Sequence, residues 1–305
     1  MKFRFHTLAE LEDILQRNSL SPEDYMIKRE AYFTDLPEEN IIRELDRRIF
    51  VTRQSLIKGL EKPQISPTGL TKGAAVSFAS SQRCLIDNPL YRKTIAYSLS
   101  INEVNACGGK IVAFPTAGSS GIVPGTIWAW WDSTFSENTL IPVLHEPPYD
   151  PHLRGAFLTA SLIGILIAQG ATVAGSEGGC QAECGAAGAM AAGALAYLEK
   201  LSLKECFSSA ALSLKNSLGL ACDPIAGLVE VPCIKRNAFV ALNALGAVDL
   251  TLAGIESIIP FDEVVLAMKQ IGDSLPSCIK ETATGGLAIT PTGLKFKEIL
   301  EGLEE

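Results

Sequence analysis

Residues 175–197 read GSEGGCQAECGAAGAMAAGALAY, a glycine-rich turn carrying two acids and a cysteine that runs into a segment made almost wholly of Ala and Gly. Gly175, Gly178, Gly179 and Gly185 allow close backbone approach, and the N–H groups that open a helix favour negative charge. Cys180 therefore stands where a thiol is readily held as a thiolate, with Cys184 one helical turn beyond it. The segment behind the turn has no polar face, so it is expected to be a buried helix whose small residues let its neighbours come close. A plainer reading stays open at this point: Cys180 is a small buried hydrophobe at a close helix contact.

Working outward, the 305 residues are 47% hydrophobic but only 7% aromatic, which predicts a core of closely packed helices with small contact residues. No stretch shows strong strand alternation, so the fold class is read as mainly α, a single compact multi-helix domain with Gly-rich loops. A net charge of −8 without a basic stripe argues against nucleic acid as a partner. Charges in MKFRFHTLAELEDIL interrupt the apolar run that a signal peptide needs, and the expected location is cytoplasmic. Eight cysteines in such a setting stay reduced and serve metal binding or catalysis better than a disulfide frame; no CxxC pair occurs. Residues 155–176 carry no charge over 22 positions, long enough to cross a bilayer. Thr159, Ser161, Gln169 and Thr172 dilute that stretch and an acid-bearing loop follows at once, so a buried helix and no membrane partner are expected.

The first sixty residues are expected to form charged amphipathic helices, with capping-box spacing at Thr7/Glu10 and Ser21/Asp24, Pro22 and Pro37 in first turns and Gly59 at a C-cap. Residues 61–72 make a loop, and a helix opens at Asn88 and Pro89 and runs to Gly108. KIVAF, residues 110–114, reads as a strand or an extended buried segment. The following loop, PTAGSSGIVPG at 115–125, gathers Thr116, Ser119 and Ser120 as donors for a carboxylate or phosphate. Trp128, Trp130 and Trp131 read as packing anchors. His145, Glu146, Asp150 and His152 superficially resemble a metal set, but a proline-rich loop holds such sets poorly. Asp150 and Pro151 open the long apolar helix that Gly170 ends, and SLKE from Ser202 has capping-box spacing.

GLACDPIAGLVEVPCIKRN, residues 219–237, places Cys222 and Cys233 beside prolines, on stiff backbone read as lying outside helices. CIKETATGGLAITPTG, residues 278–293, adds Lys280 and Glu281 among paired glycines. Cys180, Cys222 and Cys233 thus lie on three separate pieces of chain. Three such thiolates suit a [4Fe–4S] cluster with one iron left open for Lewis-acid work, and zinc can use the same donors.

The strings EVNACGGKIVAFPTAGSSGIVPG, GSEGGCQAECGAAGAMAAGAL, GLACDPIAGLVEVPCIKRNA and KETATGGLAITPTG resemble those of the iron–sulfur-dependent bacterial L-serine dehydratases, catalytic α chain. The resemblance covers most of the chain from about Ser66 and more loosely the N-terminal helices. It implies a single domain over residues 1–305, with peripheral N-terminal helices at 1–60 and a cluster-bearing core at 66–293. It also implies Cys180, Cys222 and Cys233 as ligands of a [4Fe–4S] cluster, and conversion of L-serine to pyruvate and ammonia through an aminoacrylate. The needs of that reaction suggest Thr116, Ser119 and Ser120 for the substrate carboxylate, Glu177 or Glu183 for the ammonium, and Lys280 or Glu281 as base. Cys184 stands where the family usually has an aliphatic residue. The SSSHT-like domain fused to related single-chain enzymes is not found here, so a separate β chain is expected to complete an αβ unit. A cysteine desulfidase of the same broad family, a structural zinc protein and a small-residue membrane protein are the alternatives.

Overall fold

Thr7, Ser21, Asn88, Asp150 and Ser202 each turn a side-chain oxygen onto a backbone N–H two or three residues ahead, and each opens a helix. Only Ser202 makes the full reciprocal box, with Glu205 reaching back to its N–H. The computed structural model describes residues 3–135 and 150–302. Its helices are α1 (Leu8–Asn18), α2 (Pro22–Thr34), α3 (Glu38–Glu61), α4 (Ala74–Ser80), α5 (Pro89–Ala106), α6 (Ile122–Phe135) and α7 (Pro151–Gly170). They continue with α8 (Gly175–Gly178), α9 (Ala186–Leu198), α10 (Leu203–Lys215), α11 (Cys233–Leu252), α12 (Phe261–Ser274) and α13 (Pro291–Glu301). Among the described residues no strand forms, and the mainly α class holds.

The Ala/Gly helix α9 is the axis of the molecule, buried along almost its whole length and touching α6, α7, α10 and α11. Its small residues are required by contact. A Cβ on Gly193 would collide with Ile163 of α7, and one on Gly164 would lie 3.0 Å from Met190. α7 is long and apolar enough to cross a membrane, yet 61% of its apolar window is buried inside the protein. α9, α12, α2 and α3 supply that cover.

Gly59 does not cap α3. The helix continues to Glu61, and a Cβ at this buried position would sit 2.6 Å from the Ser100 carbonyl oxygen of α5. Close crossing of α3 and α5 is what the glycine serves, so the outer helices expected at 1–60 include one half, Val51 to Leu60, that lies in the core. Gly59→Val should cost about 1–3 kcal/mol through overpacking, read as a lower urea midpoint at unchanged slope. An unaltered midpoint would contradict the contact.

Other local expectations also shift. Pro37 is the N-cap of α3, one residue ahead of the first turn. Residues 110–114 form neither strand nor buried run; Lys110 and Ala113 are exposed. Pro124 and Gly125 belong to the first turn of α6, because the loop has already closed at Gly121. Trp128 is a buried anchor whose Nε1 donates to Thr52 Oγ1 at 2.9 Å. Asp150 caps α7, and His152 Nε2 lies 3.1 Å from the Leu198 carbonyl, so neither joins a metal set; His145 and Glu146 lie outside the described residues.

A buried polar knot fixes α6. Arg53 of α3 pairs with Asp132 at 2.7 Å, Tyr97 OH donates to the same carboxylate at 2.9 Å, and Lys93 Nζ donates to the Asp132 carbonyl at 2.8 Å. With Asp132 Oδ2 and the Asp132 carbonyl engaged, and Oδ1 left without a partner among the described residues, these bonds tie α3, α5 and α6 together in the core. The loop that feeds α6 is thereby held over the N-terminal end of α11.

Candidate functional site

At Gly179 the backbone takes φ +74°, which only glycine adopts freely, and a Cβ there would meet the Leu220 carbonyl at 2.9 Å. That turn stops α8 and presents Cys180 at the head of a π-helical turn, Gln181–Gly185, that leads into α9. Gln181 anchors the turn by donating to the Met268 carbonyl at 2.9 Å and accepting the Gly219 N–H at 2.9 Å. π-turns of this kind concentrate at functional sites, and here the wider turn sets the direction of Glu183 and Cys184.

Cys222 arrives on an extended segment stitched to the C-terminal loop. Its N–H donates to the Ile279 carbonyl at 2.9 Å and its carbonyl accepts the Glu281 N–H at 2.8 Å. Cys233 is not outside a helix as its proline neighbour suggested. It is the first residue of α11, where Pro232 is tolerated because the first N–H groups of a helix need no partner within it.

All three thiols are buried and close enough to act on one another. Burial pushes Cys222 well above its usual range, with the charges of Cys180, Glu183 and Cys233 adding to the effect. Cys233 is pushed up to about 12 by burial and by Cys180. Cys180 alone is held below its usual range, first by the hydrogen bond from Cys184 and then by the guanidinium of Arg236. Cys184 is fully enclosed and rises well above its normal value because it donates to Cys180 and is desolvated.

Glu183 faces this group. The Cys222 thiol donates to Glu183 Oε2 at 3.7 Å. Burial raises the Glu183 carboxyl, the hydroxyl of Thr116 works against that by donating to it, and Glu281 adds repulsion. The two carboxylates converge on Gly175, where a Cβ would stand 2.6 Å from Glu183 Oε2 and 3.2 Å from Glu281 Oε2. Glu281 is exposed at the edge of the site. Lys280 is half-buried, with its backbone in a bridge to Cys222. Glu177 lies elsewhere: it is exposed and accepts the Thr172 hydroxyl at 2.6 Å.

The three hydroxyl candidates separate by burial. Thr116 is half-buried and meets Glu183, whereas Ser119 and Ser120 are fully enclosed. Ser119 Oγ donates to the Phe114 carbonyl at 2.8 Å and braces the loop. Beside Thr116, the backbone N–H groups of Ala117, Gly118 and Ser119 have no acceptor among the described residues.

Two groups were not singled out by sequence reasoning. Arg236 donates to the Ala221 carbonyl at 2.8 Å and approaches Asp223 Oδ1 at 3.5 Å, and it reaches the Cys180 thiol. Asn237, fully buried, joins α11 to the 116–121 loop. Both follow Cys233 by three and four residues. Starting the helix at Cys233 would have put them on the cysteine's own face.

The donor set can be tested against metal chemistry. Thiolates on one zinc, each bound at about 2.3 Å, lie within roughly 4 Å of one another. Among the described residues no group of three His, Cys, Asp or Glu is placed to hold a single ion. Cys180, Cys222 and Cys233 come from separate backbones and lie within electrostatic reach of one another, a soft thiolate donor set of the kind that suits an iron–sulfur group.

The family model described as "Serine dehydratase alpha chain" matches residues 11–288. A probable L-serine dehydratase alpha chain of Bacillus subtilis is 40% identical over 300 residues, 98% of this chain and 96% of its own. The L-serine dehydratase alpha chain of Peptoniphilus asaccharolyticus is 39% identical over 295 residues, 96% of this chain and 97% of its own. An L-serine dehydratase of Streptomyces coelicolor is 34% identical over 294 residues, 95% of this chain but 62% of that longer protein.

Proposed function

The chain belongs to the serine dehydratase alpha chain family, and from that premise we propose that it is the cluster-bearing chain of an L-serine dehydratase, a lyase converting L-serine to pyruvate and ammonia. The observation that carries this reading is the set of three buried thiols from three separate backbones, facing Glu183, Thr116 and Arg236. Cys180, Cys222 and Cys233 would hold a [4Fe–4S] cluster. When bound, the cluster supplies an iron without a protein ligand, a Lewis acid for the substrate hydroxyl.

The protein's own groups handle the rest of the substrate. The unpaired N–H groups at Ala117, Gly118 and Ser119, with the Thr116 hydroxyl, are oriented donors for the carboxylate. Ser119 serves that loop from inside, as a strut, whereas the enclosed Ser120 hydroxyl has no partner among the described residues. Glu183 is the acid best placed for the substrate ammonium, and Glu177, turned toward Thr172, is not used. Cα proton removal needs a base within hydrogen-bond reach. Glu281 and Lys280, pinned beside Cys222, are the candidates from this chain, and a β chain is the other source.

Anaerobic protein carrying iron and sulfide should be brown and form pyruvate from L-serine, with both colour and activity lost in air. Full activity in colourless, chelator-treated protein would overturn the proposal, and sulfide release from L-cysteine in preference to pyruvate from L-serine would reassign the substrate.

A further inference from the structure

The Asn237 side chain makes four hydrogen bonds in the core, one of them accepted by Oδ1 from Asn102 Nδ2 at 3.4 Å. Its Oδ1 accepts the Gly121 N–H at 3.0 Å, and its Nδ2 donates to the Gly118 carbonyl at 2.8 Å and to the Cys233 carbonyl at 2.9 Å. Asn102 of α5 donates to the same Gly118 carbonyl at 3.0 Å and to that of Ala117 at 3.4 Å. Both asparagines are fully buried. A buried amide so fully engaged is costly to replace and holds its partners in one geometry.

The consequence lies on the other side of the peptide planes. Among the described residues the cis bonds are those before Pro115 and Pro232, so the 117–118 and 118–119 peptides are trans. In a trans peptide the N–H points opposite to the C=O. The Gly118 carbonyl is held by the two asparagines and the Ala117 carbonyl by the Ser120 N–H at 3.2 Å, Asn105 at 3.3 Å and Asn102 at 3.4 Å, which sets the Ser119 and Gly118 N–H groups on the opposite sides of those peptide planes, where they lack an acceptor among the described residues. A Cβ on Gly118 would lie 3.6 Å from Glu183 Oε1 and 3.8 Å from Thr116 Oγ1, so this loop borders the thiol group.

We infer that Asn237, seconded by Asn102, is a positioning residue that aims the Gly118 and Ser119 amides at the substrate carboxylate and sets their register against Cys233. The inference rests on the reading of this loop as the carboxylate holder. Asn237 touches no substrate. It replaces reorganisation at the moment of binding with a geometry set during folding.

The test compares Asn237→Ala, Asn102→Ala and Thr116→Ala in the anaerobic complex with its β chain, reading iron and sulfide content, the visible spectrum, KM and kcat. Asn237→Ala should keep the iron content and spectrum of the parent while KM for L-serine rises about tenfold and kcat falls less than about threefold. Unchanged KM, or loss of iron, would overturn the inference, the latter by showing that Asn237 serves Cys233 alone. If Asn237→Ala does not fold, Asn102→Ala decides, since it removes one 3.4 Å bond to Asn237 but leaves the Asn237 bonds to Gly118, Gly121 and Cys233 in place: a KM raised by about threefold or more supports the clamp and an unchanged KM refutes it. Should Thr116→Ala raise KM while both asparagine variants do not, the clamp fails alone. If all three leave KM unaltered, the loop does not hold the carboxylate and the site reading fails with it.

Discussion

Cys180→Ser, Cys222→Ser and Cys233→Ser should each yield a folded, colourless protein without dehydratase activity. Loss of groups that merely orient a metal ligand costs about 10–100-fold, so loss of a ligand should exceed about 100-fold. Each thiol comes from a different backbone: the π-turn after Gly179, the segment stitched to Ile279 and Glu281, and the start of α11. No neighbouring thiol on the same element replaces Cys222 or Cys233, whereas Cys180 has Cys184 behind it. Cys84→Ala, Cys107→Ala, Cys206→Ala and Cys278→Ala should keep their iron. Cys206 is a core filler, pushed up to about 12 by burial, and Cys84 is exposed. Cys184→Ala is the discriminating variant. Its thiol is enclosed and donates to Cys180, so its removal should retain iron and colour. Loss of the cluster as complete as in Cys180→Ser would refute a three-ligand site.

On the proposed reading, the isolated chain should take up iron and sulfide yet turn over L-serine about 10²–10⁴-fold more slowly than a complex with a β chain, the range that a positioned general acid–base contributes. The relatives with which this chain is coextensive are alpha chains by name, while the Streptomyces coelicolor enzyme is longer than the match. The site opens at a rim of loop: Glu281 is exposed, and beyond it Leu287 and Ile289 expose 41% and 51% of their surface. A face of Gly-rich loops alone leaves the reacting centre open to water, which a covering subunit would exclude. Steady-state pyruvate formation by the chain alone and after co-expression is the measurement. Equal rates would remove the partner from the chemistry and make Glu281 and Lys280 the leading candidates for the base, to be separated by Glu281→Gln and Lys280→Met.

Both expectations concern residues that stood out in the chain before any coordinates, and the reason is local chemistry. Helix starts at Thr7, Ser21, Asn88, Asp150 and Ser202 were legible because a cap is decided within three or four residues. The burial of α9 was legible because a segment with no polar side chain over a dozen residues has no other place in water. Cys180 beside its glycines was legible as a residue on a tight turn, whereas the proline before Cys233 misled, since that cysteine opens α11.

What the sequence could not determine is direction. Glu177 and Glu183 lie six residues apart in one motif, but a left-handed Gly179 and a π-turn intervene, so one carboxylate meets Thr172 and the other Cys222. Ser119 and Thr116 share a loop, yet the inward bond to Phe114 reserves Ser119 for the fold. Arg236 and Asn237 looked like ordinary polar residues until α11 was seen to begin at Cys233, which turns them toward Cys180 and the 116–121 loop. Sequence alone determined the capped helix starts and the burial of α9, because caps and apolar composition act over one or two turns. Tertiary structure decided which oxygens and nitrogens face those thiols, because that depends on contacts between residues more than a hundred positions apart, such as Asn237 with Gly118.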